Sequence, residues 1–367
     1  MKSVIFVSYS MGIGGVEKAL LGVTDKFIKE GWDVHLALIK PEGEFLRYLS
    51  EDIKIHKIDA FERIQPLIHN PMKKTMQDDF KKGNIYRAFI IGLCLLFSKL
   101  QHGCKKLYDY AFNDVPVFSD TIFDLAVAFA GPDAFIDTYV DKCVKAKEKW
   151  GWVHFDISKF GIDRSIIANS YKNYAKINIV SEQAKTIFDQ MFPQFICKTQ
   201  FTPNVVDNET IIRLSEEIIP FSESVNCLML LTVGRISKEK GQYKALQSLK
   251  ILIDRGMKNL KWWFVGSGSD LERCQDFVVL NGLSDYVVFV GAKANPYPYM
   301  KRCDMYVQPS EHEGFCITLA EAKLFGMPIV ATDFTGAKEQ LTNYPVYNRV
   351  VEHNAIALAD AIMEVSK

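Results

Sequence analysis

Short apolar runs alternate along the chain with segments in which apolar residues recur at helical spacing. Residues 4–8 form the first such run, and residues 16–29 place Ala19, Leu20 and Val23 on one helical face. An apolar run bounded by turn residues indicates a strand, and a 3.6-residue recurrence indicates a helix. Because strands that alternate with helices pair in parallel and are covered on both faces, the pattern predicts an α/β fold with parallel sheets.

The predicted strands form two series. The first consists of residues 4–8, 34–39, 53–58, 125–129, 150–154, 177–180 and 199–202, and the second of residues 228–233, 262–265, 287–290, 305–307 and 329–331, with helices such as 242–254 and 319–325 between them. We therefore predict two Rossmann-like, doubly wound domains, residues 1–205 and 206–367, joined through the segment 202–210. A ligand site is expected in a cleft between two such halves.

Residues 59–113 interrupt this alternation, and we interpret them as inserted helices. They contain an apolar run, residues 88–97, with Arg87 before it and Lys99, Lys105 and Lys106 after it. Ten apolar residues are too few to span a bilayer, which takes about 20. The run is therefore either a buried helix of the first domain, which we favour, or an interfacial helix that lies on a membrane.

Composition and charge exclude some classes of protein. The 367 residues are 48% apolar and 24% charged, which is typical of a globular protein with sizeable cores. The 44 Lys and Arg balance 44 Asp and Glu, and this argues against a nucleic-acid partner held by phosphate neutralisation. The eight cysteines form no CxxC pair or zinc-type cluster, so we expect free thiols in a reducing, cytoplasmic compartment. The N-terminus is predicted as a strand rather than a signal peptide.

The clearest chemical signal is EGFCITLAEA, residues 313–322, which follows a predicted strand. Gly314 allows a tight turn and a helix is predicted from about Thr318, so backbone N–H groups there can bind phosphate or sugar oxygens. Glu313 lies on the loop, and Glu321 lies in the helix, where a carboxylate can accept hydrogen bonds from the vicinal hydroxyls of a ribose. For either glutamate alone, the competing interpretation is compensation of the helix dipole.

Three other segments are candidates for the same site. In residues 233–241, VGRISKEKG, both Arg235 and Lys240 can bind one pyrophosphate, unless the segment is only a solvated loop. The glycine-rich turn at residues 12–17 allows an anion to approach closely, although it does not match GxGxxG and can equally be a steric turn. His154 ends a predicted strand, where a lone histidine is more often structural. The sequence has no Asp-x-Asp pair, so we predict no obligatory metal.

Glu313 and Glu321 form an E-x7-E pattern, and the stretch EGFCITLAEAKLFGMPIVATDFTGAKEQL resembles the donor site of retaining glycosyltransferase family 4, the glycosyl transferases group 1. GRISKEKG resembles the diphosphate-binding loop of that family, and FVGSGSD, GGVEKAL and TPNVVD resemble further segments. DLAVAFAGPDAF followed by KWGWVHFD resembles bacterial members that build capsular or extracellular polysaccharides. The resemblance covers nearly all of the second half and patches of the first. It implies the GT-B fold, in which two Rossmann-like domains face a central cleft.

The resemblance also implies roles for single residues. Arg235 and Lys240 would hold the diphosphate of a nucleotide sugar, Glu321 would bind its ribose, and Glu313 would contact the donor sugar near the anomeric carbon. The implied donor-binding residues are Gly15, Gly234, Arg235, Lys240, Gly314, Phe315, Cys316, Ile317 and Glu321, and the implied catalytic residues are His154, Arg235, Lys240 and Glu313. Backbone amides would act at residues 315–317, Gly15 would allow close approach, and His154 would contact the donor sugar or the path of the departing proton.

The implied reaction is the transfer of a hexose, with retention of configuration, from a nucleotide-diphosphate sugar such as a UDP-sugar. The expected acceptor is a glycan or lipid-linked saccharide in surface polysaccharide synthesis, at the inner face of the cell membrane. Cationic side chains rather than a metal would stabilise the leaving diphosphate. Two alternatives stay open: another GT-B reaction, a phosphorylase or sugar-nucleotide epimerase, and a non-catalytic subunit that binds sugar nucleotides. Members of this family usually continue beyond the position of Lys367 with a helix that crosses back onto the first domain.

Overall fold

The computed structural model describes residues 1–101, 103–218 and 227–366. The chain forms two compact units. Unit 1 consists of Met1–Gly12 and Val23–Pro203, and unit 2 consists of Ile13–Gly22 and Asn204–Lys367. Each unit is built on one sheet in which all the paired strands are parallel. The predicted α/β class with two parallel sheets is confirmed.

Seven strands form the sheet of unit 1, in the order β3-β2-β1-β4-β5-β6-β7. Their bounds are β1 Ser3–Ser8, β2 Asp33–Leu38, β3 Lys54–Lys57, β4 Phe123–Ala128, β5 Ala146–Val153, β6 Lys176–Ile179 and β7 Thr199–Phe201. The interior strand β1 is buried from Val4 to Val7, as expected for a parallel sheet that is covered on both faces.

Eight helices belong wholly or partly to unit 1. They are α1 Gly15–Lys29, α2 Ala60–His69, α3 Met72–Lys81, α4 Ile85–Gln101, α5 Lys105–Ala111, α6 Ala134–Cys143, α7 Arg164–Tyr171 and α8 Glu182–Met191. The inserted segment therefore folds as the four helices α2 to α5. Ile64 of α2, Ile91 of α4 and Leu107 of α5 are buried in the core that lies against the sheet. This packing fixes one face of α4 against the body of unit 1.

Unit 2 contains six strands in the order β10-β9-β8-β11-β12-β13. The strands are β8 Leu228–Val233, β9 Leu260–Val265, β10 Val287–Gly291, β11 Met305–Gln308, β12 Ile329–Thr332 and β13 Asn348–Val351, and the helices are α9 Asn208–Leu214, α10 Gln242–Asp254, α11 Leu271–Leu280, α12 Tyr297–Arg302, α13 Ile317–Ala322, α14 Ala337–Leu341 and α15 Ala355–Val365. Two apolar cores cover the two faces of this sheet. Among the described residues, no helix combines the length and apolar character needed to span a bilayer.

Three differences from the predicted elements have a clear cause in the sequence. Strand β5 begins at Ala146, four residues earlier than predicted. The pattern of apolar residues did not indicate this start, because Lys147, Glu148 and Lys149 are polar and lie on the exposed or half-buried part of the strand. Strand β13 was not predicted, since only Val350 and Val351 of its four residues are apolar. The predicted helix 319–325 is α13 followed by a 3₁₀ turn, Lys323–Phe325, which ends at Gly326.

Candidate functional site

Two loops of unit 2 emerge side by side from its sheet. Strands β8 and β11 are neighbours, with Leu230 opposite Met305. Residues 234–241 follow β8, and residues 309–316 follow β11. The chain leaves β8 for β9 on one side of the sheet and later returns to β11 on the other side. The two loops therefore lie at the topological switch point, which is where open α/β sheets bind ligands.

Backbone contacts fasten these loops together. Gly241 has a φ of 71°, and a Cβ at this position would lie 2.0 Å from the carbonyl oxygen of Pro309. Only glycine fits there, because any side chain would displace the second loop. The carbonyl of Glu239 accepts the N–H of Glu311 at 2.8 Å. This close approach brings the side chains at the ends of the two loops within reach of each other.

Lys240 and Glu313 form an ion pair across the two loops. The Nζ atom of Lys240 lies 2.7 Å from both Oε1 and Oε2 of Glu313. Their side chains are 22% and 8% exposed. Burial lowers the pKa of the Lys240 ammonium, but the charge of Glu313 and the hydrogen bond outweigh it, so the pKa is raised. Lys240 is thus a fixed cation with three N–H donors, of which Glu313 takes two.

A series of buried polar side chains holds the Glu313 carboxylate through hydrogen bonds. Ser310 Oγ donates to Glu313 Oε1 at 2.8 Å, and Gln308 Nε2 donates to Ser310 Oγ at 2.8 Å. The hydroxyl of Tyr306 donates to Gln308 Oε1 at 2.6 Å. Tyr306, Gln308 and Ser310 are fully buried, so they hold the Glu313 carboxylate in one orientation. Sequence reasoning missed these three residues, although Gln308 and Ser310 are polar residues at the end of a predicted strand.

Arg235 does not take part in the ion pair between Lys240 and Glu313. Its side chain is 67% exposed, and its nearest carboxylate is that of Glu239, at 3.8 Å. Gln242 Nε2 donates to the carbonyl of Arg235 at 3.0 Å and thereby fixes the backbone after Gly234. The two cations that the sequence predicts for one pyrophosphate therefore differ in their surroundings. Lys240 is paired with Glu313, and the side chain of Arg235 is exposed to solvent. Their joint role stays a prediction.

Glu321 lies in α13 and is 1% exposed. Its Oε1 atom lies 2.6 Å from Nζ of Lys18 and accepts the hydroxyl of Tyr297 at 3.0 Å. The Lys18 ammonium also lies 4.5 Å from the centre of the Tyr297 ring. Oε2 of Glu321 is buried and has no hydrogen-bond partner among the described residues. One carboxylate oxygen is therefore occupied, and the other accepts no hydrogen bond from a described residue.

Lys18 is a site residue that sequence reasoning missed, although it lies within the GGVEKAL segment. It occupies the first turn of α1, where the helix dipole favours an acidic residue and disfavours a lysine. A basic residue in this position is the sequence signal that a carboxylate lies nearby. Earlier in the same turn, a Cβ at Gly15 would meet nothing within 4 Å, so that side of the backbone is open to a ligand. Burial raises the pKa of Glu17.

Residues 314–317 form the turn into α13. Cys316 has a φ of 57°, the one positive φ of a non-glycine residue in the described part of the chain. Its sulfur lies 3.5 Å from Oγ1 of Thr318, and burial raises the pKa of its thiol. The side-chain amide of Gln340 donates to the carbonyl of Phe315, so this turn is anchored to α14. In residues 1–101, 103–218 and 227–366 no His, Cys, Asp and Glu side chains are grouped as metal ligands.

His154 belongs to unit 1 and follows β5 directly. Its ring centre lies 4.6 Å from that of Phe129 and 6.2 Å from that of Trp152. The ring bonds to the backbone of Phe129, while Nε2 is buried and lacks a partner among the described residues. Burial lowers the pKa of His154 to about 3. The imidazole is therefore neutral at physiological pH, with Nδ1–H donating to Phe129 and Nε2 available as an acceptor.

Acid is expected to destabilise the protein through His154. The pKa of His154 in the folded state, about 3, lies below the ordinary value of 6.5. The contribution of the neutral, buried imidazole to the free energy of unfolding is therefore complete above pH 6.5. It is lost as the pH falls toward 3, by about 1.4 kcal/mol per pH unit. We expect denaturant unfolding of the wild type and of His154→Phe to diverge in this way between pH 7 and pH 4. A wild-type-minus-variant difference that stays constant with pH would contradict a buried, neutral His154.

Comparison with known proteins is consistent with this geometry. Residues 216–367 match the sequence model of the family Glycosyl transferases group 1. The chain is 28% identical to an uncharacterized glycosyltransferase of Methanocaldococcus jannaschii over 211 residues, which are 52% of this chain and 51% of that protein. It is 22% identical to the N-acetylgalactosamine-N,N'-diacetylbacillosaminyl-diphospho-undecaprenol 4-alpha-N-acetylgalactosaminyltransferase of Campylobacter jejuni, over 95% of this chain and 85% of that protein. The chain thus aligns with about half the length of the first relative.

Solved structures share the whole architecture. The Anabaena protein HepE, in complex with UDP and glucose, superimposes with a TM-score of 0.70 at 17% identity and covers 100% of this chain and 90% of that chain. The fold is therefore GT-B, with two Rossmann-like domains, as predicted. The sequence similarity to the group 1 glycosyltransferases lies in residues 216–367 of the chain.

Proposed function

We propose that this protein is a retaining hexosyltransferase that transfers a sugar from a UDP-sugar to a glycan or lipid-linked saccharide in surface polysaccharide synthesis. The observation that carries the proposal is the buried Lys240–Glu313 pair at the switch point of unit 2, followed eight residues later by the buried Glu321. The family match, the transferase named as acting on a diphospho-undecaprenol substrate, and the neighbour that binds UDP and glucose support it.

Lys240 and Arg235 are proposed to bind the donor diphosphate. Glu313 uses two N–H groups of Lys240, so one N–H is left for a phosphate oxygen. The exposed guanidinium of Arg235 is able to form a forked contact with a second phosphate oxygen. When the bond between the anomeric carbon and the phosphate oxygen breaks, negative charge grows on the diphosphate, and both cations stabilise it. We therefore propose that no metal is required.

The two glutamates are proposed to bind the two ends of the donor. Glu313 is held by Lys240 and Ser310, and its remaining lone pairs are able to accept hydroxyls of the donor sugar near the anomeric carbon. Glu321 is proposed to accept a ribose hydroxyl at Oε2, since Oε1 is occupied. The amides of residues 315–317 and the open backbone at Gly15 are proposed to contact sugar and phosphate oxygens.

His154 is proposed to accept a hydrogen bond from a substrate hydroxyl at Nε2. A group with a pKa of about 3 is a weak base at neutral pH, so His154 orients a hydroxyl rather than removing its proton. The departing diphosphate is then proposed to take the proton of the acceptor hydroxyl as the new bond to the anomeric carbon forms on the same face. This front-face reaction retains configuration without a covalent intermediate on the protein.

Unit 1 is proposed to serve the acceptor, and the protein is proposed to work at the inner face of the cell membrane. The relative from Campylobacter is named for a substrate attached to diphospho-undecaprenol, a lipid that places the sugar at a membrane surface. A protein that extends such a substrate has to reach the membrane without crossing it. Peripheral association is the simplest arrangement for this reaction.

The proposal is tested by the release of UDP from a panel of UDP-sugars, with GDP-sugars as comparison, in the presence of saccharide and lipid-linked saccharide acceptors. We expect one UDP-sugar to be turned over, EDTA to leave the rate unchanged, and NMR of the product to show the anomeric configuration of the donor. Release of a sugar phosphate from a glycan and inorganic phosphate would instead identify a phosphorylase. Binding of UDP without turnover of any donor would identify a non-catalytic subunit.

A further inference from the structure

Helix α4 carries a large apolar face that no described part of the chain covers. Seven of its apolar side chains are between 40% and 79% exposed: Ile85, Tyr86, Phe89, Leu93, Leu96, Phe97 and Leu100. At 100° per residue, they fall within a sector of about 120° and form a stripe about 22 Å long. Ala88, Ile91 and Cys94, outside this sector, are buried in unit 1. The helix is therefore apolar on two faces, and only one of them serves the core.

The segment that carries the exposed stripe has an excess of positive charge. Residues 72–106 contain eight Lys and Arg but only two Asp, in a chain whose formal net charge is zero. Six of these lysines are exposed: Lys73, Lys74, Lys81, Lys82, Lys99 and Lys106. Asp79 is buried and paired with Arg87 at 3.1 Å, so Asp78 is the one exposed aspartate of this segment against six exposed lysines. The segment is thus complementary in charge to an anionic partner.

We propose that this stripe and its lysines bind the surface of an anionic lipid bilayer, with α4 lying in the plane of the interface. Exposed apolar patches of this extent mark interaction surfaces. A helix with apolar side chains on one face and lysines beside it is the type that lies at the boundary of headgroups and acyl chains. The 17 residues of α4 are fewer than the about 20 that a membrane span requires.

Charge also distinguishes the bilayer from a second copy of this chain. A symmetric dimer through α4 would bring the same patch of each subunit together. The lysines of the two segments would then face each other and repel, whereas phosphate headgroups would attract them. The inference rests on the peripheral association proposed above and adds the surface that produces it.

The test is flotation of the purified protein with vesicles of phosphatidylcholine alone or mixed with phosphatidylglycerol, at low and high salt. We expect binding to the mixed vesicles, weakened by salt. Phe89→Ser/Leu96→Ser is expected to reduce binding at least about tenfold, and Lys81→Glu/Lys82→Glu by a similar factor with loss of the salt dependence. All four side chains are exposed, so the core of unit 1 is left intact.

Matched controls come from exposed residues of unit 2. Val279→Ser/Leu280→Ser removes two apolar side chains of α11 that are 70% and 83% exposed, and Lys258→Glu/Lys293→Glu reverses two exposed lysines. These variants are expected to float like the wild type. The inference is overturned if the wild type does not bind anionic vesicles, if the α4 variants bind unchanged, or if gel filtration shows a dimer that Phe89→Ser/Leu96→Ser dissociates.

Release of UDP from the donor in the absence of vesicles separates this inference from the proposed function. We expect the α4 variants to release UDP from the donor at the wild-type rate, whether water or a water-soluble saccharide accepts the sugar. A protein that binds vesicles through α4 but turns over no donor would remove the proposed function and leave this surface in place. A protein that turns over the donor fully but does not bind vesicles would remove this surface and leave the proposed function in place.

Discussion

Lys240→Met is expected to lower kcat for sugar transfer by about 10²–10³ and to destabilise the protein at the same time. The loss of rate follows from the loss of a fixed positive charge at the developing charge of the diphosphate. The loss of stability follows because the carboxylate of Glu313, 8% exposed, keeps its burial but loses its cation. Breaking such a buried pair costs about 3–5 kcal/mol. Steady-state kinetics and denaturant unfolding measure the two effects separately.

The double variant Lys240→Met/Glu313→Gln separates catalysis from folding. Replacing both members of a buried ion pair with neutral residues of similar shape is often close to neutral for stability. We therefore expect the double variant to unfold near the wild-type denaturant concentration while its kcat stays low. Lys258→Met, an exposed lysine elsewhere in unit 2, is the control for the loss of a lysine. If the double variant recovered the wild-type rate, Lys240 would have only a structural role.

The two loops of the site could be predicted from the sequence, but their pairing could not. Each loop is a local feature, since Gly234 and Arg235 directly follow one apolar run, and Glu313 and Gly314 follow another after a short polar segment. Lys240 and Glu313 are 73 residues apart, and their contact depends on β8 and β11 being neighbours in the sheet. The order of strands is a property of the whole unit, so no local pattern encodes it. The sequence therefore predicted these two residues for different parts of the donor.

The helix α4 shows a second limit of sequence analysis. Its apolar residues occur all around the helix, and such a pattern does not tell which side its neighbours cover. In the structure one face of the helix lies in the core, with Ile91 buried, and another face is exposed, with Phe89 on it. The helices that cover the buried face are α3 and α5, which contribute Met76 and Leu107 to the same core. A prediction of exposure would require the packing of these helices, which local spacing does not provide.

Glu321 is expected to determine whether the protein distinguishes UDP from a 2′,3′-dideoxy analogue. A hydrogen bond to a charged group contributes about 1.5–3 kcal/mol, so the wild type should bind UDP about 10- to 150-fold more tightly than the analogue. In Lys18→Met/Glu321→Met both charges of the buried pair are removed together. A single replacement of Glu321 would instead leave the Lys18 ammonium, whose side chain is 17% exposed, without its partner. We expect this variant to bind UDP weakly and to lose the preference, as measured by isothermal titration calorimetry.

The free Oε2 atom of Glu321 gives the same prediction a second measurement. A buried acceptor without a partner costs the ligand-free protein about 1–3 kcal/mol, and a ribose hydroxyl that donates to it removes this cost. UDP should therefore raise the thermal unfolding temperature of the wild type more than the dideoxy analogue does at equal saturation. The two nucleotides should act alike on Lys18→Met/Glu321→Met. An undiminished preference for UDP in that variant would mean that another residue holds the ribose and that Glu321 is buried for structure alone.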